Sequence, residues 1–198
     1  MGVRVRNSRD DVVARALAVL DAYGLGDLTM RRLGAELGVR PSALYHHFPD
    51  KQTLLGAVAD EVLARGLGGA PATPPGDLPW DGVVLEACRR VRDALLAYRD
   101  GAELVATVRA FGLGGAAALE EVAAAVATGG FDDDLVATAS RALLHLVLGH
   151  TGEEQTHLQA QSVGAIGGEP RPDSDFDAAV GLLVAGLRAT TPGARADA

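Results

Sequence analysis

Residues 29–51 read Thr-Met-Arg-Arg-Leu-Gly-Ala-Glu-Leu-Gly-Val-Arg-Pro-Ser-Ala-Leu-Tyr-His-His-Phe-Pro-Asp-Lys, and this stretch decides the fold. Thr29 is a good N-cap, Leu33 and Leu37 fall four apart on one helical face, and Gly38 stands where a helix ends with positive φ. Val39 can pack back into the corner. Pro41 suits the first turn of a new helix, where its missing N–H would be unpaired anyway. The second helix is short, carrying Ala43, Leu44, Tyr45, His46, His47 and Phe48 before Pro49 closes it. Leu44 and Phe48, at i and i+4, give it one buried edge. Ser42, Ala43, Tyr45, His46 and His47 are left on the open side. A short helix held by one edge, with aromatic and hydrogen-bonding groups on the other, is the layout of a helix-turn-helix segment entering a major groove.

Working outward, Ser8 caps a preceding helix with Asp10 and Asp11 in its first turn, favourable at the positive end of the helix dipole. Its apolar stripe is Val13, Leu17 and Leu20 with Val12, Ala16 and Tyr23 alongside, and Gly24 ends it. Residues 1–7, with Arg4 and Arg6, lack periodicity and read as an arm that either frays or reaches into a minor groove. After Pro49, Asp50 caps a fourth helix running from Lys51 to about Leu67, one end at the head and the other in the next domain. The expected division is a head over residues 1–50 and a helical body over residues 51–198.

The body reads as helices throughout. Residues 66–79 are rich in Gly, Ala and Pro and form a linker. Helices follow from Trp80 to Tyr98, with Val84, Cys88, Val91, Leu95 and Tyr98 inward; from Ala102 to about Phe111; from Ala116 to Thr128; from Asp132 to the region of Gln155; and from about Ser174 to Ala189. Residues 162–174 read as a mobile loop and Pro192 onward as a tail. No segment alternates with period two, so the fold class is all-α. The last two helices carry Ala137, Ala139, Ala142, Ala178, Ala179, Gly181 and Ala185, small residues that allow close approach. Paired with the same two helices of a second copy they make a four-helix interface, and two-fold symmetry then sets two reading helices about 34 Å apart.

Net charge is −8 over 198 residues, which taken alone argues against nucleic acid. Its distribution reverses that inference. Residues 1–51 hold eight Lys or Arg against six acids, a net of +2, and the rest carries −10. A mildly basic head on an acidic body fits a protein that meets phosphates with one end only. The single cysteine, Cys88, excludes an intrachain disulfide and a paired-cysteine metal site. No apolar run long enough for a bilayer and no basic-then-apolar leader are read, so a soluble cytoplasmic protein with no membrane partner is expected.

The string Leu28-Thr29 to Leu37-Gly38-Val39, followed by Ala43-Leu44-Tyr45-His46-His47-Phe48-Pro49-Asp50-Lys51, resembles the DNA-binding signature of the tetracycline-repressor-like (TetR) family of bacterial regulators. Further on, Leu95-Leu96-Ala97-Tyr98-Arg99-Asp100-Gly101-Ala102, Leu148-Gly149 and Glu153-Glu154-Gln155 resemble the tetracycline-binding members, so the likeness covers most of residues 8–157. It implies an N-terminal three-helix DNA-binding domain and a C-terminal helical ligand-binding and dimerisation domain. The partners it implies are a palindromic double-stranded operator, a small-molecule effector and a second copy of the chain. Carried over by position, Thr29 and Lys51 contact phosphates, Arg31 a base or phosphate, and Ser42, Ala43, Tyr45, His46 and His47 the groove. Arg40 departs from the pattern and adds a base or phosphate contact.

Ligand-binding positions carried over likewise are Leu67, Ala87, Val91, Val105, Arg109, Val122, His145 and Glu153. The metal-holding histidine of the tetracycline-binding members falls on Val105, their polar drug contacts on Leu67, Ala87 and Val122, and an aromatic contact on Val91. His145 and Glu153 keep the histidine and glutamate supplied by the second subunit. With the polar anchors gone, the expectation is the same architecture around a more apolar cavity, neither tetracycline nor magnesium as ligand, and no cofactor.

A rival reading is a helical-bundle metalloenzyme using His145, His150, Glu153 and His157, since His150, Glu153, Glu154 and His157 share one helical face at i, i+3, i+4 and i+7. Such a site needs carboxylates from facing helices, and no inward helix position supplies a comparable glutamate. A solvated or dimer-facing polar patch is the favoured reading of these four side chains. No phosphate loop, nucleophile elbow or Ser/His/Asp arrangement stands out.

Overall fold

The computed structural model describes residues 8–68, 78–167 and 175–190. Within them the chain is helical: α1 (Arg9–Tyr23), α2 (Met30–Glu36), α3 (Pro41–Leu44), α4 (Lys51–Leu67), α5 (Trp80–Leu96), α6 (Gly101–Ala110), α7 (Ala116–Ala127), α8 (Asp133–Ser162) and α9 (Phe176–Thr190). No strand occurs among the described residues. The expected arm at residues 1–7, most of the linker (69–77), residues 168–174 of the loop and the tail from 191 lie outside them.

Local signals start the head helices where the residues dictate. Ser8 Oγ accepts the Asp11 backbone N–H at 3.1 Å while Asp11 accepts the Ser8 N–H at 2.8 Å, a reciprocal capping box. Thr29 Oγ1 accepts the Arg32 N–H at 3.1 Å, and Asp50 Oδ1 accepts the Thr53 N–H at 2.7 Å. Gly38 has φ +65, and a Cβ on Gly34 would lie 2.9 Å from the Val39 carbonyl, so the α2–α3 corner closes because both positions lack side chains.

Three expectations need correction. The helix read from Ala43 to Phe48 is one turn, Pro41–Leu44, after which His47 and Phe48 both bond back to the Leu44 carbonyl. Phe48 precedes Pro49, which disfavours helical backbone there and ends the segment early. Tyr23, placed in the apolar stripe, is 48 % exposed, with the Arg32 guanidinium 4.1 Å from its ring centroid. Val19 takes the buried position instead. The helix expected to end near Gln155 runs to Ser162 through Gly149 and Gly152. Tertiary bonds hold it: Gln155 donates to the carbonyls of Leu95 and Tyr98 at 3.0 and 2.8 Å and accepts the Ala102 N–H at 3.1 Å.

α1 packs on α2 and on α4, and α4 continues into the body against α5, α6 and α7. There α5, α7 and α8 pack on one another, α6 lies between α4 and α8, and α9 covers α5 and α8. One apolar core runs from Val12 and Leu28 in the head through Leu54, Val58 and Val62 of α4 to Val84, Leu95, Leu104, Val122 and Leu143 in the body. α4 therefore packs against both the head and the body.

Candidate nucleic-acid interface

The α3 segment splits its side chains as an interface requires. Leu44 and Phe48 are 1 % and 0 % exposed, fixing the segment to the head, and the Arg9 guanidinium sits 4.8 Å from the Phe48 ring centroid. Ser42, Tyr45 and His46 are exposed and Ala43 and His47 half-buried, with Tyr45 50 % accessible. Tyr45, His46 and His47 have no side-chain hydrogen bond to any described residue, so their polar atoms remain available to a partner.

Around this edge stand the groups suited to phosphate. Arg31 and Arg40 are exposed, Lys51 is half-exposed at the first position of α4, and Thr29 is exposed at the start of α2. Helix starts present free backbone N–H groups to anions. Arg32 behaves differently from its neighbour Arg31, facing Asp27 at 3.6 Å and stacking on Tyr23. Asp50 has its carboxyl held below the ordinary range by the Thr53 backbone N–H and, next, the Thr53 hydroxyl. That carboxylate fixes the start of α4 next to Lys51.

In the body, Leu67, Ala87, Val91, Val105 and Val122 are 0–5 % exposed and face the interior between α4, α5, α6 and α7. Arg109 is half-buried and donates to the Gly115 carbonyl at 2.8 Å. His145 and Glu153 are exposed on α8, away from that interior cluster within one chain. Cys88 lies in the core at 0 % exposure, and burial pushes its thiol up to about 12.

His145, His150, Glu153 and His157, the side chains of the metalloenzyme reading, are not gathered into a site, and the neighbouring carboxylate and one imidazole are engaged elsewhere. Glu154 gives both oxygens to Arg92, at 2.7 Å from Nη2, and His150 Nε2 lies 2.9 Å from Asp175 with its ring against Phe176. His157 Nε2 is buried with no hydrogen-bond partner among the described residues. Among the described residues no group of three or more His, Cys, Asp or Glu is placed to hold a metal ion, and no helix is long and apolar enough to cross a membrane.

Several side chains that tie the helices together escaped sequence reasoning. Arg90 and Glu121 pair across α5 and α7, and Arg90 also donates to the Leu67 carbonyl at 2.8 Å. Asp100 bridges the head and α8 through Leu25 and Gln159. The Arg89-Arg90 doublet was visible in the sequence; its partners, on other helices, were not.

Comparison with known proteins agrees with this geometry. A family model described as "Bacterial regulatory proteins, tetR family" matches residues 12–58, and one described as "Tetracyclin repressor-like, C-terminal domain" matches residues 70–171. The class A tetracycline repressor protein from transposon 1721 of Escherichia coli is 41 % identical over 98 residues, covering 50 % of this chain and 44 % of that one. The chain thus spans about half the length of the curated relatives it matches first. Among solved structures, Mycobacterium smegmatis BioQ is 43 % identical with a TM-score of 0.81, covering 93 % of this chain and 99 % of its own. A structure of BioQ with its natural double-stranded DNA operator is 41 % identical with a TM-score of 0.76, covering 92 % and 98 %.

Proposed function

The chain belongs to the TetR family of bacterial regulatory proteins, and from that membership we propose that it is a homodimeric transcriptional repressor, released from a palindromic operator by a small, mostly apolar effector. The observation that carries this reading is the division of residues 42–48, with Leu44 and Phe48 sealed in the head, Tyr45 and His46 exposed, His47 half-buried, and none of these last three side chains hydrogen-bonded to a described residue. The matched relative crystallised on an operator supports it.

In the complex, Thr29 and Lys51 hold phosphates and Arg31 a base or phosphate, while Ser42, Tyr45, His46 and His47 lie against base edges. Ala43 offers a methyl group to a thymine, and Arg40, exposed beside α3, adds a base or phosphate contact. The second copy docks on α8 and α9, whose outward faces carry Ala137, Ala142, Gly181, Ala185 and the 76 % exposed Leu182. Apolar surface of that kind on paired helices is suited to burial in a dimer. The effector lies among Leu67, Ala87, Val91, Val105 and Val122, with Arg109 at the edge and His145 and Glu153 contributed across the dimer. Such walls lack the polar anchors that tetracycline–magnesium would need. The work of a regulator places the protein in the cytoplasm with its DNA.

The test is a gel-shift assay with DNA from the protein's own upstream region, run beside light scattering for the oligomeric state. Wild type is expected to be a dimer giving a sequence-specific shift that weakens steeply with salt. Tyr45→Ala should lose the shift and keep the dimer and its melting temperature. Leu44→Ala, by contrast, should destabilise the head by about 2–5 kcal/mol. Full retention of the specific shift by Tyr45→Ala would refute the assignment of α3.

A further inference from the structure

Arg90 of α5 links the far end of α4 to α7 through hydrogen bonds. One guanidinium nitrogen pairs with Glu121 Oε1, and the other donates at 2.8 Å to the carbonyl of Leu67, the last residue of α4. Carbonyls in the last turn of a helix have no partner within it, so Arg90 satisfies a group that would otherwise need water. The two charged groups differ in setting. The Glu121 side chain is 3 % exposed and Arg90 33 %, so the acid lies inside and the base at the rim. Leu67 supplies the carbonyl that Arg90 holds and Val122 follows Glu121 in the chain, and both are positions assigned to the effector cavity.

We propose that the effector is a small monoanion, a carboxylate on an apolar body, which takes the Arg90 guanidinium from both Glu121 and the Leu67 carbonyl and so frees the C-terminal end of α4. This rests on the effector-responsive reading above and adds the ligand's charge and its point of action. The recognition chemistry favours an anion on three counts. Arg90 at present divides its fork between two acceptors, whereas a ligand carboxylate can take both nitrogens in the parallel geometry that guanidinium matches best. An uncharged alcohol cannot replace the charge that Arg90 would lose. An ammonium would meet Arg90 at the rim before reaching Glu121.

The charge left behind is also provided for. Burial raises the Glu121 carboxyl above its ordinary range against the opposing pull of Arg90. Once Arg90 turns to the ligand, the pull that opposed burial is gone, which shifts the Glu121 carboxyl further towards its protonated form. The interior then holds one ion pair, Arg90 with ligand, and one neutral acid, so no unpaired charge is buried.

The experiment is calorimetric titration of the full-length protein with decanoate, decanol and decylamine, which share one tail and differ in head group, in two buffers of different ionisation enthalpy. Decanoate is expected to bind about tenfold or more tighter than decanol, with decylamine weakest, and with uptake of a proton on binding. Glu121→Gln should keep the preference for decanoate and lose the proton uptake. Arg90→Gln should bind decanoate and decanol alike, and Arg90→Lys, which keeps charge without the fork, should fall between; circular dichroism melts identify any variant that fails to fold. Equal binding of decanol, tighter binding of decylamine, an unchanged preference in Arg90→Gln, or binding of none of the three overturns the proposal. A wild-type operator shift that persists beside such a result leaves the regulator reading standing, and its absence removes that reading separately.

Discussion

Replacing Asp100 with alanine separates the tie between head and body from the packing of either. Asp100 stands between α5 and α6 at φ +55, the one non-glycine residue with positive φ among those described. Its Oδ2 accepts the Leu25 backbone N–H at 2.7 Å, from the corner that joins α1 to α2, and its Oδ1 accepts Gln159 Nε2 of α8 at 2.5 Å. Gly24, at φ +84, leaves room for this, since a Cβ there would lie 2.7 Å from Oδ2. Truncation leaves the part-buried Leu25 N–H without an acceptor, which costs about 1–3 kcal/mol. The Gln159 amide can turn towards water, so its loss adds about 0.5–1.5 kcal/mol. Alanine in left-handed backbone costs about 1 kcal/mol more than glycine. The expected loss for Asp100→Ala is therefore about 2.5–5.5 kcal/mol, with Asp100→Gly about 1 kcal/mol milder and Asp100→Asn mildest, because asparagine tolerates that backbone and still offers one acceptor.

Urea unfolding followed by circular dichroism gives the order, provided the m-value stays constant across the series. The same variants should bind operator more weakly than their stability explains, because a head free to pivot no longer holds its copy of α3 at a fixed distance from the other. If Asp100→Ala unfolds within about 0.5 kcal/mol of wild type, or the glycine variant falls below the alanine one, the bridge is not what joins the two parts.

Asp50→Ala should destabilise the start of α4, and the wild-type advantage should depend on pH in a determined direction. The native carboxyl is held low by Thr53, so its contribution is present above the unfolded carboxylate value and fades as pH falls through the native one; melting temperatures of the pair that converge on acidification are the expected result. Cys88, buried with its thiol raised to about 12, should resist a disulfide-exchange reagent at neutral pH and react at once in denaturant, as absorbance of the released thiolate would record.

The head was legible because its signals are local. Thr29, Gly38, Pro41 and Asp50 each act on backbone within four residues of themselves, and each stands at the helix end that its chemistry implies. One error was local, since the helix read on to Phe48 ends at Leu44 ahead of Pro49; the others arose where a distant partner decides. Tyr23 has an apolar face and sits at a stripe spacing, yet it lies outside because Arg32 offers its guanidinium there and Val19 fills the core. α8 passes two glycines because Gln155 and Gln159 are held by the turn between α5 and α6. In the candidate site the division was the same. The unpaired imidazoles followed from the pattern of residues 42–48, whereas the Arg90–Glu121–Leu67 contact joins three helices through residues with no shared spacing.

Those distant contacts give α4 a mechanical character that its sequence alone does not. At its start Asp50 caps it and Lys51 faces the proposed DNA; at its end Arg90 holds the Leu67 carbonyl. Between them, Asp60 accepts the Gly115 N–H at 2.8 Å, and Arg109 grips the Gly115 carbonyl at the same distance. A Cβ on Gly56 would lie 2.3 Å from the Leu113 carbonyl, so the α6–α7 loop rests on the α4 backbone at the point where a tilting helix would turn. At 1.5 Å per residue, Leu67 is about 10 Å beyond Asp60 and Lys51 about 13 Å before it. If α4 tilted there as a rigid rod, a shift of about 2 Å at Leu67 would carry Lys51 about 2.6 Å in the opposite sense. In a two-fold dimer both heads move, and a change of that size on each side is enough to spoil a register set by half-sites about 34 Å apart. An effector acting at Arg90 needs no contact with the head to do this, because the middle tie turns a release at one end of α4 into a displacement at the other.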